Sequence, residues 1–230
     1  MIGQAEKTFK DIQNEYDHLF KTESVRDEDR AYRWHASQLF KAKPNVGKVL
    51  DVACGGGYFL RDVTAKSKGK TQCVGIDISS QALGIAQKEC PQANYLISVA
   101  EYLPFSDRTF DAITCLGSLE HFLDIPKAIK EMKRIARPDG VFFILVPNLF
   151  WYKDFWSVLW TGDKKHRNQT QERFSSLGEW SDLFKSCGLE IQTVIKYNGI
   201  AKKPLKQWIK DLVIPRNLSY HFLFLCSQKQ

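Results

Sequence analysis

The chain has 230 residues, 43% of them hydrophobic and 26% charged, which is material for the core of one generous α/β domain and excludes global disorder. Its longest apolar runs, Val141–Val146 and Phe222–Cys226, fall far short of the roughly 18 residues of a membrane span, and the opening Met1-Ile2-Gly3-Gln4-Ala5-Glu6-Lys7 has no apolar signal-peptide stretch, so a cytoplasmic protein is expected. The net charge of +7 is uneven: residues 151–230 hold 13 basic against 7 acidic residues and five of the six tryptophans, whereas residues 1–150 are near neutral with 20 against 19. That basic, aromatic end suits plain solubility, an acidic ligand, a nucleic acid or a membrane surface.

Residues 4–42 are polar and helix-prone. Phe9, Ile12, Tyr16, Leu19 and Phe20 recur at intervals of three and four, one face of a helix. A second helix is expected over Asp27–Lys41, and Pro44 and Gly47 then punctuate the chain. Val46–Ala53 is apolar and β-rich, Gly55-Gly56-Gly57 breaks it, and a helix follows to about Lys68. Thr71–Ile78 is the next strand, with Ser79 as N-cap of a helix ending near Cys90. Asn94–Val99, Phe110–Leu116 and Val141–Val146 read as further buried strands. The helix Pro126–Arg137 has proline in its first turn, Ile129 and Met132 on one face, and a stop at Pro138-Asp139-Gly140. After Pro147 the rhythm breaks. Residues 148–175 are a long aromatic and polar insertion, followed by a helix (Leu177–Ser186), a strand (Leu189–Lys196), a basic helical segment (Lys203–Val213) and a last strand (Tyr220–Cys226). Strands alternating with helices predict a doubly wound parallel sheet, and strands as continuously apolar as Val141–Val146 suit one covered on both faces.

The six cysteines, Cys54, Cys73, Cys90, Cys115, Cys187 and Cys226, show no C-x-x-C pair, no zinc-cage spacing and no disulfide framework. Free thiols in a reducing compartment are expected, and no metal.

The sharpest local signal is Val49-Leu50-Asp51-Val52-Ala53-Cys54-Gly55-Gly56-Gly57, a buried strand ending in a carboxylate and a glycine turn that opens a helix. Glycine lets a ligand approach the backbone, and the helix N-terminus offers free N–H groups. A second strand ends in Gly75-Ile76-Asp77. In an α/β sheet both ends lie at the carboxyl edge, where ligands bind. Asp77 is placed to accept hydrogen bonds from ribose hydroxyls. A dinucleotide site wants G-x-G-x-x-G, but the third position here is Leu60, and Asp51 would repel a pyrophosphate. The same carboxylate suits a ligand with ammonium and sulfonium groups. A P-loop is absent, and a tight turn without ligand is the bland alternative.

This ordered series resembles the class I S-adenosylmethionine-dependent methyltransferases, closest to their broad type 11 group, which includes small-molecule and quinone methyltransferases. The resemblance rests on Val49–Gly57, Gly75-Ile76-Asp77-Ile78-Ser79, Ala100-Glu101-Tyr102-Leu103-Pro104-Phe105, Phe110-Asp111, Leu119-Glu120-His121 and Arg137-Pro138-Asp139-Gly140, with Asn14-Glu15-Tyr16-Asp17 resembling the element that often precedes the core. It implies a Rossmann-like, doubly wound, seven-stranded, mainly parallel sheet with the last strand antiparallel. It further implies one domain: an N-terminal helical cap (1–44), a cofactor core (45–147), an aromatic substrate lid after the fifth strand (148–175) and a completing segment (176–230). The implied cofactor is S-adenosylmethionine. Asp51, Ala53, Cys54, Gly55 and Gly57 would hold its methionine part, Asp77 its ribose and Ile78 its adenine, with Ser98–Glu101 (Val99 and Ala100 among them) flanking the base, and Leu116 and Gly117 would lie by the cofactor after the fourth strand. Val99 departs from the family, which usually has an aspartate there to bond the adenine amine; weaker adenine selectivity is expected, since one hydrogen bond is worth about 0.5–1.5 kcal/mol.

The candidate bases are His166, within Lys164-Lys165-His166-Arg167, and His121, after the fourth strand; the alternatives are a surface role and a bond within the loop. Tyr16 would close over the cofactor or fill a helix face, and Arg33 would meet the cofactor carboxylate. His35 would cap the substrate pocket or merely pack. Trp151, Tyr152 and Trp156 would contact an aromatic or isoprenoid acceptor, though the Tyr152, Trp156, Trp160 stripe equally suits a core. In Lys203–Val213, Leu205, Trp208, Ile209 and Leu212 share one face and Lys203, Lys206 and Lys210 another. That reads as a helix packed by its apolar side, a peripheral membrane contact or, less well, a nucleic-acid surface. Methyl transfer to an oxygen, before nitrogen or carbon, of a small lipophilic acceptor is the expected function. RNA methylation is disfavoured because Leu116-Gly117-Ser118-Leu119 stands where N/D-P-P-Y motifs occur. A non-catalytic cofactor-binding protein is the third reading.

Overall fold

A computed structural model describes residues 7–22, 29–161, 173, 175–199 and 204–229. In chain order they form α1 (Phe9–Thr22), α2 (Asp29–Ala42), β1 (Lys48–Val52), α3 (Tyr58–Ser67), β2 (Gln72–Asp77), α4 (Ser80–Glu89), β3 (Asn94–Ile97), β4 (Phe110–Leu116), α5 (Ile125–Ile135), β5 (Ala136–Pro147), α6 (Tyr152–Thr161), α7 (Leu177–Ser186), β6 (Leu189–Tyr197), α8 (Pro204–Val213) and β7 (His221–Gln228). The seven strands make one sheet in the order β3-β2-β1-β4-β5-β7-β6. Neighbours from β3 to β5 run parallel, and β7 is antiparallel to both β5 and β6. This is the Rossmann-like, doubly wound sheet with an antiparallel last strand that the sequence implies. The strand order reverses between β1 and β4, which opens a crevice at their carboxyl ends.

The core sits on both faces. In β5, Phe142 and Ile144 join one apolar cluster with Leu50, Ile113, Ile129 and Trp180, while Phe143 and Leu145 join the other with Leu39, Val49, Phe59 and Leu60. The period of two in a strand produces that division. Leu60, which replaces the third glycine of a dinucleotide motif, is fully buried and packs α3 onto the sheet. Caps mark the helix starts. Ser79 accepts from the Ala82 N–H at α4, Asp124 accepts from the Lys127 N–H at α5, and Ser176 and Glu179 form a capping box at α7.

Two expectations are corrected. Pro138-Asp139-Gly140 does not separate helix from strand, because β5 already begins at Ala136. Phe110 pairs with Ala136 and Ala112 with Val141, so the extra residues are taken up in a register shift held by an Arg137–Asp111 ion pair at 2.7 Å. The second concerns the packing of the 148–175 insertion: its Tyr152, Trp156 and Trp160 stripe lies on a helix, α6, as the spacing predicts, but Trp156 and Trp160 are exposed rather than core. Among the described residues no helix is long and apolar enough to cross a membrane.

Candidate cofactor and active site

β1 is flanked by β2 and β4, so Asp51 near its end is buried beneath the crevice. Its Oδ1 accepts a 2.6 Å hydrogen bond from the Thr114 hydroxyl on β4. Burial pushes the Asp51 carboxyl up to about 7, against the Thr114 bond and helped by the nearby Asp77. The chain then turns through Ala53 (φ 56°), Gly55 (φ 52°) and Gly57 (φ 73°). Gly57 is required twice over: its φ is left-handed, and a Cβ there would lie 2.8 Å from the Ala86 Cβ. The turn is tied to the second strand-end acid. Gly55 N–H donates to Asp77 Oδ2 (2.8 Å), and Ser79 N–H donates to Asp77 Oδ1 (2.9 Å). Burial raises the Asp77 carboxyl to about 6, with these N–H groups working against it.

These residues floor a pocket of about 1080 Å³, its open mouth included. Ile78, Val99, Ala100, Glu101 and Leu116 form its sides, with Gly117, Ser118, His121, Phe122 and Leu123 continuing from the end of β4. The roof is α1, whose Phe9, Ile12, Tyr16, Leu19 and Phe20 all line the pocket. Two polar contacts seat that helix. Gln13 Nε2 donates to Ile78 O (3.0 Å), and Asp17 Oδ1 accepts from the Ser79 hydroxyl (2.6 Å) and the Gln81 N–H (3.2 Å). Partial burial opposes the Asp17 charge, but these bonds outweigh it and hold the carboxyl below the usual range. His121 ends a short turn after β4, with its Nε2 3.8 Å from Glu120 Oε1 and its ring edge-on to Tyr16 at 6.3 Å.

Of the residues singled out from sequence, Tyr16, Asp51, Ala53, Cys54, Gly55, Asp77, Ile78, Val99, Ala100, Glu101, Leu116 and His121 meet in this pocket. Gly57 stands one turn behind it as the N-cap of α3. Others are not brought there. Arg33 is exposed on α2. His35 is buried against Trp34 and Tyr197, with ring centroids at 5.0 and 4.9 Å, and burial lowers its imidazole to about 3, so it is neutral. Trp151 packs against Tyr220 with ring centroids 4.6 Å apart, Tyr152 begins α6, and Trp156 on that helix is half exposed. The aromatic stripe is therefore helical but is neither core nor pocket wall. His166 lies outside the described residues. Thr114 was missed, although a lone hydroxyl in the apolar run Phe110–Leu116 is a readable signal. So was the destination of the α1 face: its periodicity is visible in sequence, but not that it covers a ligand pocket.

The donor set fits a cationic nucleoside. Asp51, Asp77 and Glu101 are the charged lining residues, all acidic and buried, and no Lys or Arg is among the described residues that line the pocket. Comparison with known proteins agrees. A family described as a methyltransferase domain matches residues 50–144. The uncharacterized methyltransferase YcgJ of Bacillus subtilis is 30% identical over 66% of this chain and 60% of its own length. The ubiquinone/menaquinone biosynthesis C-methyltransferase UbiE of Geotalea daltonii is 30% identical over 62% of each chain. The matches to these two relatives thus span about three fifths of their length. A crystal structure of a SAM-dependent methyltransferase from Thermotoga maritima superposes with a TM-score of 0.64 over 96% of this chain and 98% of its own, at 20% identity, a likeness of fold. Residues 50–144 thus match a methyltransferase domain of the type 11 family, and the acid–glycine crevice they contain fits its cofactor, S-adenosylmethionine.

Proposed function

We propose that this domain methylates an oxygen of a small aromatic or lipophilic molecule in the cytoplasm, with a ring carbon or a nitrogen as the alternative target. The observation that carries the acceptor class is the apolar roof. Phe9, Ile12, Leu19 and Phe20 of α1 line the same pocket as Phe122 and Leu123, an apolar set that a charged acceptor would not match. The absence of Lys and Arg among the described lining residues gives a phosphate-bearing acceptor such as RNA no complement. The Geotalea daltonii relative, a ubiquinone/menaquinone biosynthesis C-methyltransferase, supports a quinol-like ring. Methylation at the hydroxyl oxygen or at the adjacent ring carbon of such a ring requires loss of the same hydroxyl proton, so one base serves either. Six free thiols, five of them buried, support the reducing compartment.

S-adenosylmethionine, when bound, supplies an already electrophilic sulfonium methyl. The chain binds, orients and shields. Asp51 and the Gly55 turn hold the cationic amino-acid end, and Asp77 keeps lone pairs for the ribose hydroxyls beside its two backbone bonds. Ile78 and Leu116 flank the base, and α1 excludes water from the reacting centre. His121 takes the acceptor's hydroxyl proton, and Glu120, buried beside it, stabilises the imidazolium that forms.

The test is a panel of phenols, quinols and short RNAs incubated with methyl-labelled cofactor and read by product mass. One added methyl on a phenol or quinol is expected. Methylation of RNA alone, or of nothing by a chain that binds the cofactor, overturns the reading.

A further inference from the structure

Two helices hold apolar faces to solvent beside the pocket. On α8, Leu205, Trp208, Ile209 and Leu212 recur at intervals of three and four, and Trp208 is 62% and Leu212 67% exposed. The expected packing of this helix by its apolar side does not occur. Lys196 Nζ instead holds its far end, donating to the carbonyls of Asp211 and Ile214, and leaves the stripe outward. On α6, Trp156 and Trp160, one turn apart, are 51% and 78% exposed.

The register places both helices at one sheet edge. Pro147 at the end of β5 and Tyr197 at the end of β6 both pair with His221 of β7. Leu116, which lines the pocket, pairs with Leu145, two residues short of that level. So α6 and α8 leave the sheet on either side of β7, at the edge that carries the pocket.

We propose that α6 and α8 dock the chain on an anionic membrane surface, with their tryptophans at headgroup depth. Charge selects this occupant. Lys206 and Lys210 border the α8 stripe against the single acid Asp211, Lys153 is matched on α6 by Asp154, and residues 151–230 as a whole carry 13 basic against 7 acidic residues. A short apolar stripe edged by lysine is the pattern of a helix lying in the bilayer interface, and indole rings favour that depth. A second copy meeting this face across a two-fold axis would set the same lysines against each other. That docking admits a lipophilic acceptor to the pocket rests on the acceptor reading above; the docking itself rests on the exposed faces.

The full chain is sedimented with phosphatidylcholine vesicles, with and without phosphatidylglycerol. Binding to the anionic vesicles is expected, at least tenfold weaker without phosphatidylglycerol and weakened by salt. Lys206→Glu with Lys210→Glu should remove that preference, on the order of tenfold, and Trp208→Ala with Leu212→Ala should release the chain. Neither pair touches the pocket, so cofactor affinity by calorimetry stays unchanged. This separates a failure of docking from a failure of the cofactor site or of folding. A chain that ignores both vesicles, binds both equally, or forms a dimer in light scattering that Trp208→Ala dissociates overturns the proposal.

Discussion

Thr114 Oγ1 lies 2.6 Å from Asp51 Oδ1, both side chains are buried, and the two residues are partners in register across the β1–β4 pair. That pair is where the sheet order reverses, so the carboxylate at the floor of the crevice is oriented by the neighbouring strand rather than by its own loop. Threonine suits the place on two counts. Its β-branched carbon fits a strand, and its hydroxyl supplies the donor that a buried carboxylate requires. Burial outweighs this bond and leaves Asp51 at about 7, so the bond is part of what keeps a fraction of it charged at neutral pH.

Thr114→Val keeps the shape and removes the donor. A hydrogen bond to a charged group contributes about 1.5–3 kcal/mol. Cofactor affinity should fall roughly tenfold or more near neutral pH. The loss should be smaller in alkaline solution, where Asp51 is charged with or without help. Calorimetric titration at the two pH values checks this, and equal losses at both would show that Thr114 does not act through the Asp51 charge.

Asp51 and Asp77 also set a pH dependence of stability. Both titrate higher in the folded chain, at about 7 and about 6, than the ordinary aspartate value of 3.8. In that window the folded state holds more protons than the unfolded one. Their contribution to stability is therefore full below the window and is lost as pH rises through it. Asp51→Asn cannot ionise, so the cofactor-free mutant should gain on the wild type as pH rises, by on the order of 2–4 kcal/mol once above pH 7, while losing cofactor affinity. Thermal melts of both proteins across the range test it. A constant difference in Tm would mean that Asp51 is not the group responsible.

The acid–glycine turn, the succession of strands and helices along the chain and the Ser79 cap were legible because each is local: a buried strand must end somewhere, and Gly55, Gly57 and Ser79 punctuate it with distinctive chemistry. The roof was legible only in part. The spacing of Phe9, Ile12, Tyr16, Leu19 and Phe20 reveals an apolar face, but an apolar face carries the same pattern whether it covers a core or a ligand. The placement of α1 depends on Asp17 and Gln13 reaching residues 78–81, contacts distant in sequence. The aromatic insertion misled for the converse reason. Tyr152, Trp156 and Trp160 do share a helix, yet their exposure is decided by what lies opposite, and periodicity carries no information about that.

The seating of α1 is itself open to test. No residue of this helix is buried, so its hold on the body comes from the pocket contacts, the Gln13 bond to Ile78 and the Asp17 bonds. Asp17→Ala should speed cofactor release several-fold and raise hydrogen exchange across residues 9–22, with little effect on the sheet. Stopped-flow release and exchange mass spectrometry read the two effects. Exchange unchanged in α1 would sink the idea that Asp17 latches it.

His121 separates chemistry from binding. It lines the pocket on the side of Phe122 and Leu123, next to Glu120, while Asp51 and Asp77 floor it. His121→Ala should leave cofactor affinity near that of the wild type and lower kcat by on the order of 10² or more, the usual contribution of a positioned base. An acceptor whose hydroxyl is already ionised at the assay pH should recover much of the lost rate, because the proton has left before binding. A mutant that loses cofactor affinity and turnover together, with no recovery on the ionised acceptor, would reassign His121 to holding the pocket wall.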